Sequence, residues 1–149
     1  MNLQQIIDRQ ALKDLVDTFF NLADEKKVAE QMPLFTEDAQ VTTYIGGQLF
    51  ADMHGKAEIE KVFSDFLAAF HTVYHLNGQH TVTFKDENNA EAINYCAVQL
   101  VGGQNGKQIL HSHSVRYQDR YRKENGPWLI DTRAADVMLS DSREVGIVA

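Results

Sequence analysis

Residues 34–59 read LFTEDAQVTTYIGGQLFADMHGKAEI, and along this stretch the pattern changes from helix to strand and back to helix. The β-branched and aromatic run over residues 40–45 favours a strand. The glycine pair at positions 46 and 47 supplies the positive φ angles of a tight hairpin, which returns through residues 49–50. Gly55 closes the hairpin, so the pattern predicts a hairpin between helices.

Apolar residues that recur every three or four positions predict three helices around this hairpin. The first carries one apolar stripe over residues 3–23. A shorter second helix is expected over residues 25–35, with a bend or restart at Pro33, which lacks a backbone donor. The third covers residues 56–70. Its predicted buried face comprises Ile59, Val62, Phe63, Phe66, Leu67 and Phe70.

Four long strand-like segments follow, separated by clusters of turn residues. They cover residues 72–84, 90–101, 109–122 and 128–138. Long strands at this spacing predict an antiparallel meander, and helices placed before it predict the α+β class. We expect three N-terminal helices packed on a strongly curved antiparallel sheet, in a cone-like α+β barrel whose interior forms a small-molecule pocket.

The chain has the length of one ordinary domain, and no repeat or low-complexity linker divides residues 1–149. Residues from about 140 to 149 are predicted to form a C-terminal extension that covers the pocket or packs on a neighbour. With 14 basic and 21 acidic residues, the net charge is −7. Because this charge repels phosphate groups, we expect neither nucleic acid nor an anionic membrane as a partner.

The cysteine content and the N-terminal sequence indicate where the protein resides. Cys96 is the only cysteine, so no internal disulfide is possible and a reducing, cytoplasmic location is expected. The first residues, MNLQQIIDRQ, lack the apolar core of a signal peptide, and no apolar run is long enough to span a bilayer. We interpret Cys96 as buried and inert because no base is adjacent in its apolar strand.

Asp24 ends the first helical pattern, and His75 stands near the start of the first long strand. If the fold brings them together, the carboxylate fixes the imidazole tautomer and leaves the other ring nitrogen free to accept a proton. Alternatively, Asp24 caps the second helix, and His75 is a hydrogen-bonded histidine on an exposed strand face.

His111 and His113 lie two apart on a predicted strand and therefore share a face. They could bind a metal together with His71 or His75, but no carboxylate or cysteine has matching spacing, and we predict no metal site. In the alternative interpretation they line the cone. Tyr44 could place a phenol in the cavity or pack in the core.

Gln79 and Arg133 are two further candidates for the pocket lining. His75 and Gln79 share a face on the first long strand, unless a bulge at Gly78 shifts the phase, so Gln79 could form a polar wall. Arg133 could bind an anionic substrate or pair with Asp131 and Asp136.

The order of helices, hairpin and meander resembles the nuclear transport factor two-like superfamily, in particular its SnoaL-like branch. Residues 34–39, LFTEDA, resemble the family's LF-x-x-DA motif. Residues 55–59, GKAEI, resemble its glycine-led third helix, and residues 121–133 resemble its Y-x-R-x-x-G-x-W-x-I-x-x-R ending. The resemblance covers roughly residues 6–137 and implies a cone-like α+β fold.

Members of the scytalone dehydratase and hexachlorocyclohexane dehydrochlorinase type carry an Asp at the end of the first helix and a His on the strand after the third. The resemblance therefore implies that His75 is a general base oriented by Asp24, in a cofactor-independent lyase or isomerase for a hydrophobic, ring-containing substrate. Asn94 is a candidate for the pocket lining but departs from the pattern, because related dehydratases place a second His or Asp there. An amide cannot deliver a proton at neutral pH.

The resemblance also implies a homodimer formed through the uncovered sheet face. A monomer found by light scattering at micromolar concentration would contradict this expectation. A different functional class remains open. The chain also resembles the small subunits of aromatic-ring dioxygenases, in which the same fold is a non-catalytic ligand-binding or dimerisation module.

Overall fold

The computed structural model describes residues 1–146, which form three α-helices, one 3₁₀ turn and six strands. The helices are α1 (Leu3–Asp24), α2 (Val28–Gln31) and α3 (Lys56–Leu67). The strands are β1 (Phe35–Ile45), β2 (Gln48–His54), β3 (Thr72–Phe84), β4 (Asn89–Gln104), β5 (Lys107–Lys123) and β6 (Trp128–Glu144).

Helix α1 begins at a capping box and buries one face. The Asn2 side chain accepts a hydrogen bond from the backbone N–H of Gln5, whose side chain accepts one from the backbone N–H of Asn2. The predicted apolar stripe faces the sheet from Leu12 onwards, whereas Leu3, Ile6 and Ile7 are exposed. Its buried residues are Asp8, Leu12, Leu15, Val16, Phe19, Phe20 and Ala23.

The predicted second helix is shorter than expected. Helix α2 ends at Gln31, and a 3₁₀ turn over Met32–Leu34 contains Pro33, which cannot continue the α-helical hydrogen-bond ladder. Strand β1 then begins at Phe35. Lys27, rather than Asp24, occupies the N-cap position of α2, and it forms no side-chain capping bond. The capping role considered for Asp24 is therefore wrong.

The α+β class and the packing of three helices on a curved sheet are confirmed, with one difference in the sheet. The strand order is β2-β1-β6-β5-β4-β3, and the sheet is not closed. Every pairing is antiparallel except that of β1 with β6, which is parallel. The meander spacing revealed only strands joined by short turns, so the prediction of a purely antiparallel sheet missed this long-range pair.

Bulges interrupt the strand register and change which side chains face the helices. One lies between Asn77 and His80 on β3, as expected around Gly78. Another separates Arg120 from Tyr121 in the β5–β6 pairing. Because a shift of one residue reverses the face of every later side chain, these bulges decide which polar residues point inwards.

The predicted C-terminal extension begins inside a strand. Residues 140–144 belong to β6 and pair with β5, so they complete the sheet and do not form a separate segment. The end of the predicted extension, residues 147–149, lies outside the described residues. Over residues 1–146, no helix has both the length and the apolar character needed to cross a membrane.

Candidate functional site

A cavity of about 330 Å³ lies between the concave face of the sheet and helices α1 and α3. Its walls are mainly apolar. Phe19 and Phe20 come from α1, Phe63 and Phe66 from α3, and Val98 from the sheet. Such a cavity suits a hydrophobic molecule, for which the few polar side chains in the wall would set the orientation.

Asp24 and His75 meet at the wall of this cavity. Nδ1 of His75 lies 2.7 Å from Oδ1 of Asp24, and the backbone N–H of His75 donates to Oδ2 at 3.3 Å. The His75 side chain is 10% exposed and that of Asp24 28%. Because two bonds join the carboxylate to one residue, the end of α1 and the start of β3 are fixed together.

The ring of His75 is held on its flat side as well as at Nδ1. It stacks on Phe20 with ring centroids 4.7 Å apart and planes inclined by 22°. Among the described residues, Nε2 of His75 has no hydrogen-bond partner within reach, and the residue lines the cavity. With Nδ1–H donating to the carboxylate, Nε2 carries a lone pair that is available to a bound molecule.

Arg133 brings a positive charge into the cavity wall. Its side chain is 1% exposed, and Cζ lies 4.0 Å from the ring centroid of Tyr117 and 4.7 Å from that of Phe20. Nε of Arg133 lies 3.0 Å from Oδ1 of Asp119, which is completely buried. The aromatic rings and the ion pair together compensate for burying the guanidinium.

The partners predicted for Arg133 are wrong. Asp131 lies 3.6 Å from Arg122, and Asp136 lies 3.6 Å from Arg116, both on the solvent side of the sheet. The bulge between Arg120 and Tyr121 displaces Asp131 from simple alternation, so the inward acid is Asp119. Sequence reasoning missed Asp119, although it alternates with the apolar Tyr117 and Tyr121 along β5.

Asn94 forms a hydrogen bond with Arg133 and does not line the cavity, contrary to the prediction. It is fully buried, and its Oδ1 accepts a hydrogen bond of 3.0 Å from Nη2 of Arg133. Its Nδ2 donates to the backbone carbonyls of Gln79 and Tyr95. Nη1 of Arg133 is buried and has no hydrogen-bond partner within residues 1–146.

A buried chain of polar groups continues from Asp119. The Tyr121 hydroxyl donates to Oδ2 of Asp119 at 2.7 Å and lies 3.0 Å from Nε2 of His80. Since that hydroxyl has already donated its proton, Nε2 of His80 must carry a hydrogen and donate to it. Burial, with the positive charges of Lys13 and Arg133, lowers the pKa of His80 to about 4.

This low pKa predicts that stability depends on pH through His80. An unfolded histidine has a pKa of about 6.5, so between pH 6.5 and 4 the unfolded state binds more protons. The contribution of His80 to the free energy of unfolding is therefore complete above pH 6.5, and it is lost as the pH falls from 6.5 to 4. We expect His80→Gln, which keeps a donor for Tyr121, to flatten the dependence in urea unfolding at pH 7, 5.5 and 4.5. Equal pH dependence in both proteins would refute this assignment.

The two histidines of β5 have different surroundings. His113 lines the cavity, and its Nδ1 lies 2.7 Å from Oγ of Ser140. His111 is on the same strand face but does not line the cavity. Its Nδ1 lies 2.7 Å from Oγ of Ser142, and its ring packs against Phe70. Over residues 1–146, no three His, Cys, Asp or Glu side chains are grouped as metal ligands.

Two further predictions for the cavity wall are wrong. Tyr44 is part of a groove on the opposite face of the sheet, because Thr43 and Ile45 are the neighbours that point inwards. Gln79 is exposed at the β3 bulge, which returns His80 to the inner face. Cys96 is buried as predicted, and this burial raises its pKa to about 12.

Comparison with known proteins identifies one family and many similar folds. The SnoaL-like domain family matches residues 4–134. None of the curated proteins shows significant sequence similarity to this chain.

Three similar solved structures show the same fold at low sequence identity. A candidate scytalone dehydratase from Novosphingobium aromaticivorans has a TM-score of 0.83 and 17% identity, covering 100% of this chain and 95% of its own. The hexachlorocyclohexane dehydrochlorinase LinA-type3 from Novosphingobium barchaimii LL02 has a TM-score of 0.81 and 15% identity, with coverage of 99% and 97%. An NTF2-like protein with a cystatin-like fold, also from N. aromaticivorans, has a TM-score of 0.71 and 22% identity, with coverage of 91% and 85%.

Proposed function

Because this chain belongs to the SnoaL-like domain family, we propose that it binds a small hydrophobic molecule and acts as a cofactor-independent lyase or isomerase. The observation that carries the proposal is the contact between Asp24 and His75 at the wall of an apolar cavity. The names of two similar structures, a dehydratase candidate and a dehydrochlorinase, agree with elimination chemistry. The aromatic lining favours a ring-containing substrate.

The proposed reaction begins with proton transfer to His75. Nε2 accepts a proton from an acidic C–H of the substrate, and the electrons of that bond form a new carbon–carbon double bond. In a lyase, a leaving group departs from the neighbouring carbon with its bonding electrons. In an isomerase, the proton returns to another carbon. Asp24 stabilises the imidazolium, and such a base contributes about 10²–10⁴-fold in rate.

Arg133 is proposed to stabilise negative charge that develops on the substrate. Its guanidinium lines the cavity, and Nη1 has no hydrogen-bond partner among the described residues. In a site with little water, a fixed cation acts on developing charge more strongly than it would in solvent. Phe20 touches both groups, so His75 and Arg133 border the same part of the cavity.

An Asp24→Asn variant tests the dyad. The new amide can donate to Nδ1, which would leave the proton on Nε2 and remove the lone pair that accepts hydrogen from the substrate. We expect turnover to fall about 10²-fold or more. The assay follows double-bond formation by ultraviolet absorbance, using cyclic compounds with an acidic C–H beside a leaving group and no added cofactor.

Asp14→Asn is the matched control, because it makes the same change on an exposed face of α1, where Asp14 only bonds to Gln10. Its turnover should equal that of the wild type. Equal rates for wild type and Asp24→Asn would show that the dyad does not act in catalysis.

A non-catalytic ligand-binding or dimerisation module is the second candidate function. It is favoured by Asn94, which provides a buried amide where a second acid or base is expected. All hydrogen-bonding groups of this amide are already bonded to Arg133 and to backbone carbonyls. This candidate predicts binding of ring compounds without turnover, binding unchanged by His75→Gln, and a larger partner that co-purifies.

The homodimer and the cytoplasmic location stay predictions. The sheet face opposite the cavity exposes Tyr74, Leu76 and Ile93, which is consistent with a second copy packing there. We propose that the cavity of each copy is complete on its own, because α1, α3 and one sheet enclose it.

A further inference from the structure

His75 and His113 belong to one row of side chains that crosses the sheet beneath the cavity. His75 of β3 is paired with Val98 of β4, which is paired with His113 of β5, and His113 is paired with Ser140 of β6. His75, Val98 and His113 all line the cavity. Two strand spacings separate the histidines, so their backbones lie about 9.5 Å apart on one concave wall.

The surroundings of His113 leave one ring nitrogen free for a ligand. Nδ1 is held by Oγ of Ser140 at 2.7 Å, and Nε2 has no hydrogen-bond partner among the described residues. A serine hydroxyl can either donate or accept, so Ser140 supports both neutral tautomers of the ring. Nε2 of His113 can therefore donate to a carbonyl oxygen or bond to a hydroxyl.

The charge state of His113 suits an uncharged partner. Burial and the neighbouring His111 both lower the pKa of His113, so its ring is neutral at pH 7. The cavity side chains beside it in the row and along its strand, Val98 and Val115, are apolar. A neutral imidazole in apolar surroundings selects a polar but uncharged group over a carboxylate or phosphate.

We propose that Nε2 of His113 hydrogen-bonds an oxygen substituent, hydroxyl or carbonyl, on the ring compound whose C–H faces His75. The inference rests on the proposed function and specifies its substrate class: a cyclic molecule with an uncharged oxygen substituent placed away from the reacting carbon. His113 is thereby a specificity-determining residue, and the row His75–Val98–His113 sets the spacing between its two polar contacts.

Three bicyclic probes of nearly equal shape test this assignment. Tetralin has no oxygen, 2-tetralone has a carbonyl oxygen, and 2-tetralol has a hydroxyl. Binding is measured by NMR titration of the backbone amides of the full chain. We expect the wild type to bind at least one oxygenated probe about 2- to 10-fold more tightly than tetralin, the range given by one net hydrogen bond. Tighter binding of 2-tetralone than of tetralin would identify the tautomer with hydrogen on Nε2, because a carbonyl oxygen only accepts hydrogen bonds.

Two variants distinguish the effect of the hydrogen bond on probe binding from the effect of cavity shape. His113→Leu should bind all three probes equally, because it removes the polar atom and keeps an apolar side chain. His113→Gln should retain the preference, since its amide nitrogen can reach the position of Nε2. If the wild type binds tetralin as tightly as both oxygenated probes, or if His113→Leu keeps the preference, the inference is wrong.

Failure of the inference can be told apart from failure of the proposed function. His75→Gln should keep the oxygen preference, because His75 contacts the C–H and not the substituent. If the three probes bind the wild type equally, the assignment of His113 falls and the cavity function stands. If no probe binds the wild type at millimolar concentration, both are overturned.

Discussion

Replacing His75 with glutamine should reduce turnover about 10²–10⁴-fold, because glutamine fills much of the same space but cannot accept a proton from carbon. His75 lines the cavity, and Asp24 holds its Nδ1, whereas His113, the other histidine of the wall, has Ser140 as its partner. The loss should fall on kcat rather than KM, since a general base acts in the transition state.

His54→Gln is the control for this prediction. His54 also pairs with an aspartate, since its Nε2 lies 3.0 Å from Oδ1 of Asp52, but its side chain is exposed and outside the cavity. Turnover should be unchanged in this variant. Thermal unfolding of both variants should stay close to the wild type. A His75→Gln protein that is fully folded and turns over substrate at the wild-type rate would contradict the proposed mechanism.

Asp119→Asn should have the largest effect on stability. The carboxylate and the Arg133 guanidinium are 0% and 1% exposed, so neutralising the acid leaves a positive charge buried without its counter-ion. Breaking a buried pair from one side costs about 3–5 kcal/mol. In a domain of this size, such a loss lowers Tm by roughly 6–20 °C, which differential scanning calorimetry would measure.

The comparison for Asp119 is Asp65→Asn on the surface of α3. Asp65 pairs with Lys61 at 2.7 Å, a shorter distance than that between Asp119 and Arg133, but both side chains are exposed. Water screens this pair, so Tm should hardly change. Equal Tm shifts for Asp119→Asn and Asp65→Asn would contradict this prediction, because they would mean that water solvates Asp119 and Arg133.

The sequence predicted the helices and strands, apart from the extent of the second helix, and the resemblance to the family indicated Asp24 and His75 as the pair that carries the proposed chemistry. Helix periodicity ends at Asp24, and the first long strand contains His75, so a fold that packs α1 on β3 brings them together. The glycine pair at 46 and 47 adopts φ angles of 59° and 80°, as a tight hairpin requires. Local patterns succeed here because each depends on a few neighbouring residues.

The rest of the site depends on strand register, which local patterns do not contain. Alternation alone gave Gln79 the face of His75, and the bulge before His80 places His80 there instead. The partner of Arg133 was expected nearby in sequence, but Asp119 reaches it across the β5–β6 pairing. A pairing between strands is fixed by tertiary packing, so no window of one strand could have identified this acid as the partner of Arg133.

The parallel contact between β1 and β6 has a consequence for how the molecule folds. It joins Phe35 to Ile130, so closing it restricts a loop made of most of the chain. The β1–β2 hairpin and the β3–β4–β5 meander are each local, but only β6 joins them into one sheet. Non-local pairings of this kind slow folding, and the cavity can exist only after β6 has docked between the two parts.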